Sequence, residues 1–172
     1  MIIGDPYKFS ILFDRVKIWN ATLNDNNGFF AFSINGKIFP DTAINAIIPV
    51  SLLELKNSLS NIPVNEEIYN LGKNDAFKAL YNIVYPPNDD YNDYRYELAT
   101  SDLTDNDILV FAVGGKEKVK IFAAKLEYDI EESRHIFDES ALWEVVLDKS
   151  EVDQIIKEVE KIIKDEYTKL DK

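Results

Sequence analysis

Apolar residues recur in two rhythms along this chain. From Ile108 to Val113 six of them run without a break, Gly114-Gly115-Lys116-Glu117 interrupts, and an apolar-rich run resumes from Val119 to Leu126. In an extended chain Leu109, Phe111 and Val113 point one way and Ile108, Val110 and Ala112 the other. A strand apolar on both sides is covered on both sides, so this hairpin is expected at the centre of a sheet. The two glycines suit a turn that needs positive φ. Nearer the N-terminus, Phe9, Ile11 and Phe13 alternate against Ser10, Leu12 and Asp14, a strand over 8–16. Phe29–Ile34 reads as the next strand. Asn35-Gly36 is a strong two-residue hairpin signal, and Lys37–Phe39 returns across it. Residues 43–50 end in a short strand, Tyr94–Ala99 reads as another, and Leu142–Leu147 as the last.

The second rhythm is helical. Ser51 and Glu54 have capping-box spacing, with a short helix to about Leu59. Asn65-Glu66-Glu67 starts a brief helical turn. Asn74 is placed to cap a helix over 75–85, where Phe77, Leu80, Tyr81 and Val84 form one stripe until Pro86-Pro87 stops it. Asp148 and Glu151 have the spacing of a cap and its third helical residue. The stripe Val152, Ile155, Ile156, Val159, Ile162, Ile163 and Tyr167 then predicts a C-terminal helix about 28 Å long. These elements predict an α+β fold: a mostly antiparallel sheet with helices packed on it, including a long C-terminal amphipathic helix.

A chain of 172 residues suits a single domain spanning 1–172. It contains no cysteine, which removes disulfides and thiolate sites. No apolar run reaches the roughly 18–20 residues of a membrane span, and the first residues lack the pattern of a secretion signal. A cytoplasmic location is expected.

Charge changes the picture more. The net charge is −12, from 31 acids and 19 bases. Between Pro86 and Asp107 seven acids face only Arg95, and between Glu127 and Asp148 eight face only Arg134. These two segments hold the whole negative excess. One enters the central hairpin and the other leaves it, so both should start from the same edge of the sheet. They are either ordinary solvated loops or a negative surface for a basic partner.

Candidate chemistry is sparse. The one histidine, His135, lies in an acidic stretch, and no Gly-x-Ser-x-Gly elbow is present. Asp89, Asp90 and Asp93 lack the Gly and Glu positions of an EF-hand loop. Gly114-Gly115 lacks the further residues of a phosphate cradle. No catalytic, metal or cofactor site is therefore expected, and the lack of a basic patch argues against nucleic acid. The loop Asp89-Asp90-Tyr91-Asn92-Asp93-Tyr94 interleaves carboxylates with tyrosines, the residue types that accept arginine and lysine and that supply contact area at interfaces. Asp89, Asp90, Tyr91, Asp93 and Tyr94, with Glu131 and Glu132 of the second acidic segment, are the candidate contact residues.

Several stretches together resemble the immunity protein 42 family of bacterial polymorphic toxin systems. They are the opening Met1–Ile11, Asn27-Gly28-Phe29, the helix entry Leu71–Phe77, Asn92-Asp93-Tyr94, and Leu109–Ala123, in the family's order along nearly the whole chain. Gly72 stands where the resemblance leads one to expect proline. The resemblance implies a cytosolic, non-catalytic protein that binds and blocks one cognate protein toxin; the charge, the apolar runs and the motifs add the expectation of no cofactor and no membrane or nucleic-acid partner. It carries no catalytic residues over and leaves the oligomeric state open. The alternatives are a small acidic hydrolase using paired carboxylates, which requires a deep pocket with carboxyls of raised pKa, and a structural or adaptor domain.

Overall fold

The computed structural model describes residues 1–22, 26–86, 91–129 and 134–170, of which 128, 129, 134, 135 and 166–170 are described by backbone alone. Its strands divide between two antiparallel sheets. The first comprises β1 (Ile2–Gly4), β2 (Phe9–Arg15), β3 (Asn27–Ile34), β4 (Lys37–Phe39) and β5 (Asn45–Ile47). Its order is β1-β2-β3, with β4 and β5 pairing successive stretches of the far side of β3. The turn from β3 to β4 is Asn35-Gly36, with φ of 51° and 81°, as the dipeptide predicts.

The second sheet holds the hairpin of β6 (Ile108–Gly114) and β7 (Lys118–Asp129), with β8 (Arg134–Phe137) and β9 (Trp143–Asp148). β7 is its spine. β6 runs along one side; β9 pairs residues 118–123 and β8 pairs residues 126–129 on the other. Every residue of β6 is buried. Its alternation feeds two cores, as a strand apolar on both faces should. Ile108, Val110 and Ala112 face a core shared with sheet one, α1 (Ile48–Ser60) and α5 (Lys149–Leu170). Leu109, Phe111 and Val113 face a second core under α2 (Glu66–Tyr69) and α3 (Lys73–Val84).

β6 itself is the outer strand, with β7 between it and the rest. Its free edge is closed by two loops. Gly114 donates to the Pro63 carbonyl and accepts from Asn65, while the amides of Leu98 and Ala99 both donate to Val110. The glycines at 114 and 115 serve this closure rather than positive φ, which neither adopts. A Cβ on Gly114 would lie 3.3 Å from the Pro63 carbonyl oxygen, and one on Gly115 3.0 Å from the Tyr69 ring.

Several local expectations are corrected by tertiary contacts. α1 starts at Ile48, straight out of β5 with Pro49 in its first turn, so Ser51 lies inside the helix. The Ser51 hydroxyl, fully buried, donates 2.7 Å to the Asp102 carboxylate. Glu54 accepts from both the amide and the hydroxyl of Ser101. The expected capping box of α1 instead holds the short helix α4 (Ser101–Thr104) against it. α3 starts at Lys73 behind Gly72, and Asn74, one residue inside, donates to Glu139 rather than capping. Tyr94–Ala99 is not a strand: Tyr94–Tyr96 is a 3-10 turn, and Glu97 alone bridges to Phe111. Asp148 and Glu151 do pair at the start of α5, the Asp148 amide donating to Glu151 at 2.8 Å. Val152, Ile155 and Val159 are buried and Ile156, Ile162 and Ile163 partly so, the predicted stripe as far as Ile163; the side chain of Tyr167 lies outside those described.

Candidate interaction surface

The tyrosine-bearing loop leaves α3 at Tyr85 and returns to the sheet at Glu97. Its return is tied down by main chain: the Asp93 amide donates 3.1 Å to the carbonyl of Ile83 in α3. The Asp93 carboxylate then accepts from the Arg95 amide at 3.1 Å and from its guanidinium at 2.8 and 2.6 Å. These bonds hold the Asp93 carboxyl below its usual range, so it stays ionised and occupied. The Arg95 side chain is two-thirds exposed, so this stretch of an acidic segment presents a guanidinium to solvent.

Beneath the loop lies an aromatic chain. Phe137 of β8 meets Phe77 of α3 edge-on at 4.6 Å, and Phe77 meets Phe111 of β6 at 5.1 Å. Phe111 and Tyr81 both contact Tyr85, which meets Tyr94 edge-on at 6.3 Å. The Tyr85 hydroxyl donates to Glu97, whose carboxylate also accepts from Thr104 at 3.4 Å. Burial raises the Glu97 carboxyl against the opposing pull of these bonds, and burial together with Glu97 raises the Tyr85 hydroxyl. Tyr94 is therefore backed by a fixed aromatic wall, while 55% of its surface faces solvent; Tyr91 is 89% exposed. Rigid, exposed tyrosines give contact area at low entropic cost.

Of the candidate residues, Tyr91, Asp93 and Tyr94 lie together on this loop. Asp89, Asp90, Glu131 and Glu132 lie outside the described residues. The two acidic segments do start side by side, since Ile108 pairs with Lys125, but they diverge to opposite ends of α3. The first anchors at Ile83; the second places Glu139 against Asn74 and Lys78. Nine residues of helix separate Asn74 from Ile83, roughly 14 Å.

Many of the acids are engaged inside the molecule. Glu144 pairs with Lys120 at 3.3 Å and Asp148 with Lys118 at 3.6 Å, so the lysines of the hairpin tip offset two of them. Lys120 also lies 5.1 Å over the Tyr69 ring. Sequence reasoning missed Tyr85 and Glu97. The i, i+4 tyrosines Tyr81 and Tyr85 just before Pro86 were the available signal for an aromatic cluster at the end of α3; nothing marked Glu97 as buried.

A hydrolase reading needs converging carboxyls in a concavity. Glu97, raised by burial, is already bonded to Tyr85 and Thr104. Among the described residues, it is not part of the lining of the three concavities of roughly 190–270 Å³ formed around residues 13–15 and 48–52, 147–158, and 37–41 with 125–143. Among the described residues no group of three or more histidine, aspartate or glutamate side chains is arranged to hold a metal ion. No helix among them is long and apolar enough to cross a membrane.

The model of the family described as immunity protein 42 matches residues 1–162. The chain belongs to the immunity protein 42 family. Membership supports an immunity role, the neutralisation of a toxin, and the α+β architecture agrees with a solved relative in fold. The crystal structure of CdiI from Burkholderia dolosa AUO158 superposes with a TM-score of 0.74 at 24% identity, covering 92% of this chain and 97% of that one. No curated protein matches.

Proposed function

We propose that this chain, acting as one immunity domain, neutralises a single cognate bacterial toxin in the cytoplasm by binding it, without catalysis of its own. The observation that carries the reading is the family match across residues 1–162. The surface proposed to make contact is the loop bearing Asp89, Asp90, Tyr91, Asp93 and Tyr94, with Glu131 and Glu132 of the second acidic segment. The aromatic wall behind Tyr94 and the exposure of Tyr91 support it. Asp93, bonded to Arg95, acts by shaping the loop rather than as a free acceptor. A net charge of −12 favours a basic partner and speeds its encounter. No cofactor, nucleic acid or membrane takes part.

Co-expression tests this. Cells producing the toxin of the adjacent open reading frame should survive when the chain is supplied and die when it is not. The purified pair should form a complex that persists through size exclusion. Death of cells that carry both, with no complex, refutes the proposal.

A further inference from the structure

The two sheets do not close against each other along their whole length. On one face of β7 the alternation reads Val119, Ile121 and Ala123, all buried, then Lys125 and Glu127, both exposed. The apolar series stops where the cover from sheet one stops. Opposite this point β4 ends in Phe39, and between the walls lies a cleft of about 190 Å³. Buried Phe39 and Ile108 and half-buried Trp143 give it an apolar lining. It lies at the open end of the β6–β7 hairpin, where the two acidic segments begin.

Each wall of this cleft carries both signs of charge. Lys37 and Asp41 come from the sheet-one side, and Lys125, Glu127 and Asp138 from the sheet-two side. Among the described residues Lys37, Asp41, Lys125 and Glu127 make no ion pair or side-chain hydrogen bond, although Lys8, Lys56, Lys78, Lys118 and Lys120 close ion pairs elsewhere. Asp138 is turned back on Ser140, whose hydroxyl and amide hold its carboxyl low and ionised. The concavity thus keeps opposite charges apart and leaves them available, over an aromatic ring.

We infer that this cleft is a second contact site for the toxin and receives an arginine-bearing loop; the inference rests on the immunity reading above. A guanidinium is planar, bonds carboxylates in bidentate fashion and stacks on indole. Asp41 and Glu127 supply the acceptors and Trp143 the ring, while Asp138, held ionised by Ser140, adds its negative charge. Lys37 and Lys125 make the site selective, since they repel a loop whose arginine is flanked by further cations and attract one flanked by an acid. The cleft and the Tyr91–Tyr94 loop would then grip the toxin from two sides of sheet two.

The test uses the full chain and the cognate toxin carrying an inactivating substitution, with association and dissociation rates measured by biolayer interferometry. Asp41→Lys and Glu127→Lys are both surface changes that leave the core untouched. Each is expected to weaken binding by about tenfold or more, mainly through faster dissociation. Asp153→Lys, on the exposed side of α5, makes the same change in net charge away from the cleft and is expected to alter only the association rate, by about twofold. Trp143→Phe, which keeps the apolar packing, is expected to weaken binding by several-fold. If Asp41→Lys and Glu127→Lys bind like the unaltered chain, or lose no more than Asp153→Lys, the cleft is not a contact site while the immunity reading stands. If the unaltered chain neither binds nor protects, both fall together.

Discussion

The Tyr85 hydroxyl donates to the Glu97 carboxylate, and the Tyr85 ring meets that of Tyr94 edge-on. Burial raises the Glu97 carboxyl above its ordinary value, the bonds from Tyr85 and Thr104 only partly offsetting it. A carboxyl raised in this way binds its proton more tightly in the folded state than in the unfolded one. Its contribution to stability is fully present below the unfolded value and is lost as pH rises through the folded one. Glu97→Gln keeps an acceptor for both hydroxyls and removes the charge. This variant should therefore be more stable than the unaltered chain near pH 7, with the difference shrinking towards about pH 4. Urea midpoints at the two pH values measure this. An advantage unchanged at acid pH would trace to packing rather than ionisation.

Glycines at close approaches should separate by what they touch. A Cβ on Gly28 would lie 2.1 Å from the Asp14 carbonyl oxygen and 2.9 Å from the Arg15 Cα, both main chain in the paired strand. On Gly115 it would meet the half-buried Tyr69 ring at 3.0–3.1 Å, a side chain rather than main chain. Gly28→Ala should cost about 3 kcal/mol or more and Gly115→Ala about 1 kcal/mol. Denaturant titration decides; equal costs would mean the β2–β3 spacing adjusts as easily as a ring.

Tyr91 and Tyr94 are proposed as anchors. Replacing both with alanine should weaken toxin binding by more than about 2 kcal/mol, with folding left nearly intact because both rings face solvent. Calorimetry of the complex and of the free variant gives the two numbers. Unchanged affinity would move the contact elsewhere.

Steering by the acidic surface has its own signature. The association rate with a basic toxin should fall by about tenfold as ionic strength rises, while dissociation changes little. A flat association rate would take the negative excess out of the binding scheme.

Much of this architecture could be read from the chain. The two-sided hydrophobicity of Ile108–Val113 announced a strand between two cores, and the stripe from Val152 to Ile163 announced a helix lying on one of them. Asn35-Gly36 named its own turn. The misreadings share a cause. Ser51, Glu54 and Asn74 have side chains that suit a local cap, but each finds a partner distant in sequence: Asp102, Ser101 and Glu139. Gly114 and Gly115 matched a turn by composition, yet what selects them is a loop and a ring that only the tertiary fold brings near. The candidate surface was legible as charge and tyrosine content. How those charges are already engaged was not, because Asp93 with Arg95, and Glu144 and Asp148 with the tip lysines, depend on which strands become neighbours.

The closed edge of β6 bears on how such a protein can be used. An inhibitor that acts one molecule per target must be abundant before the target arrives, and abundance exposes sheet proteins to strand-by-strand polymerisation. With the amide and carbonyl of Gly114 already engaged by the loop at Pro63–Asn65 and the carbonyl of Val110 by Leu98–Ala99, the most hydrophobic strand offers a passing copy a poor template. A cell can then hold a large standing stock of the protein while its stickiest segment stays inert.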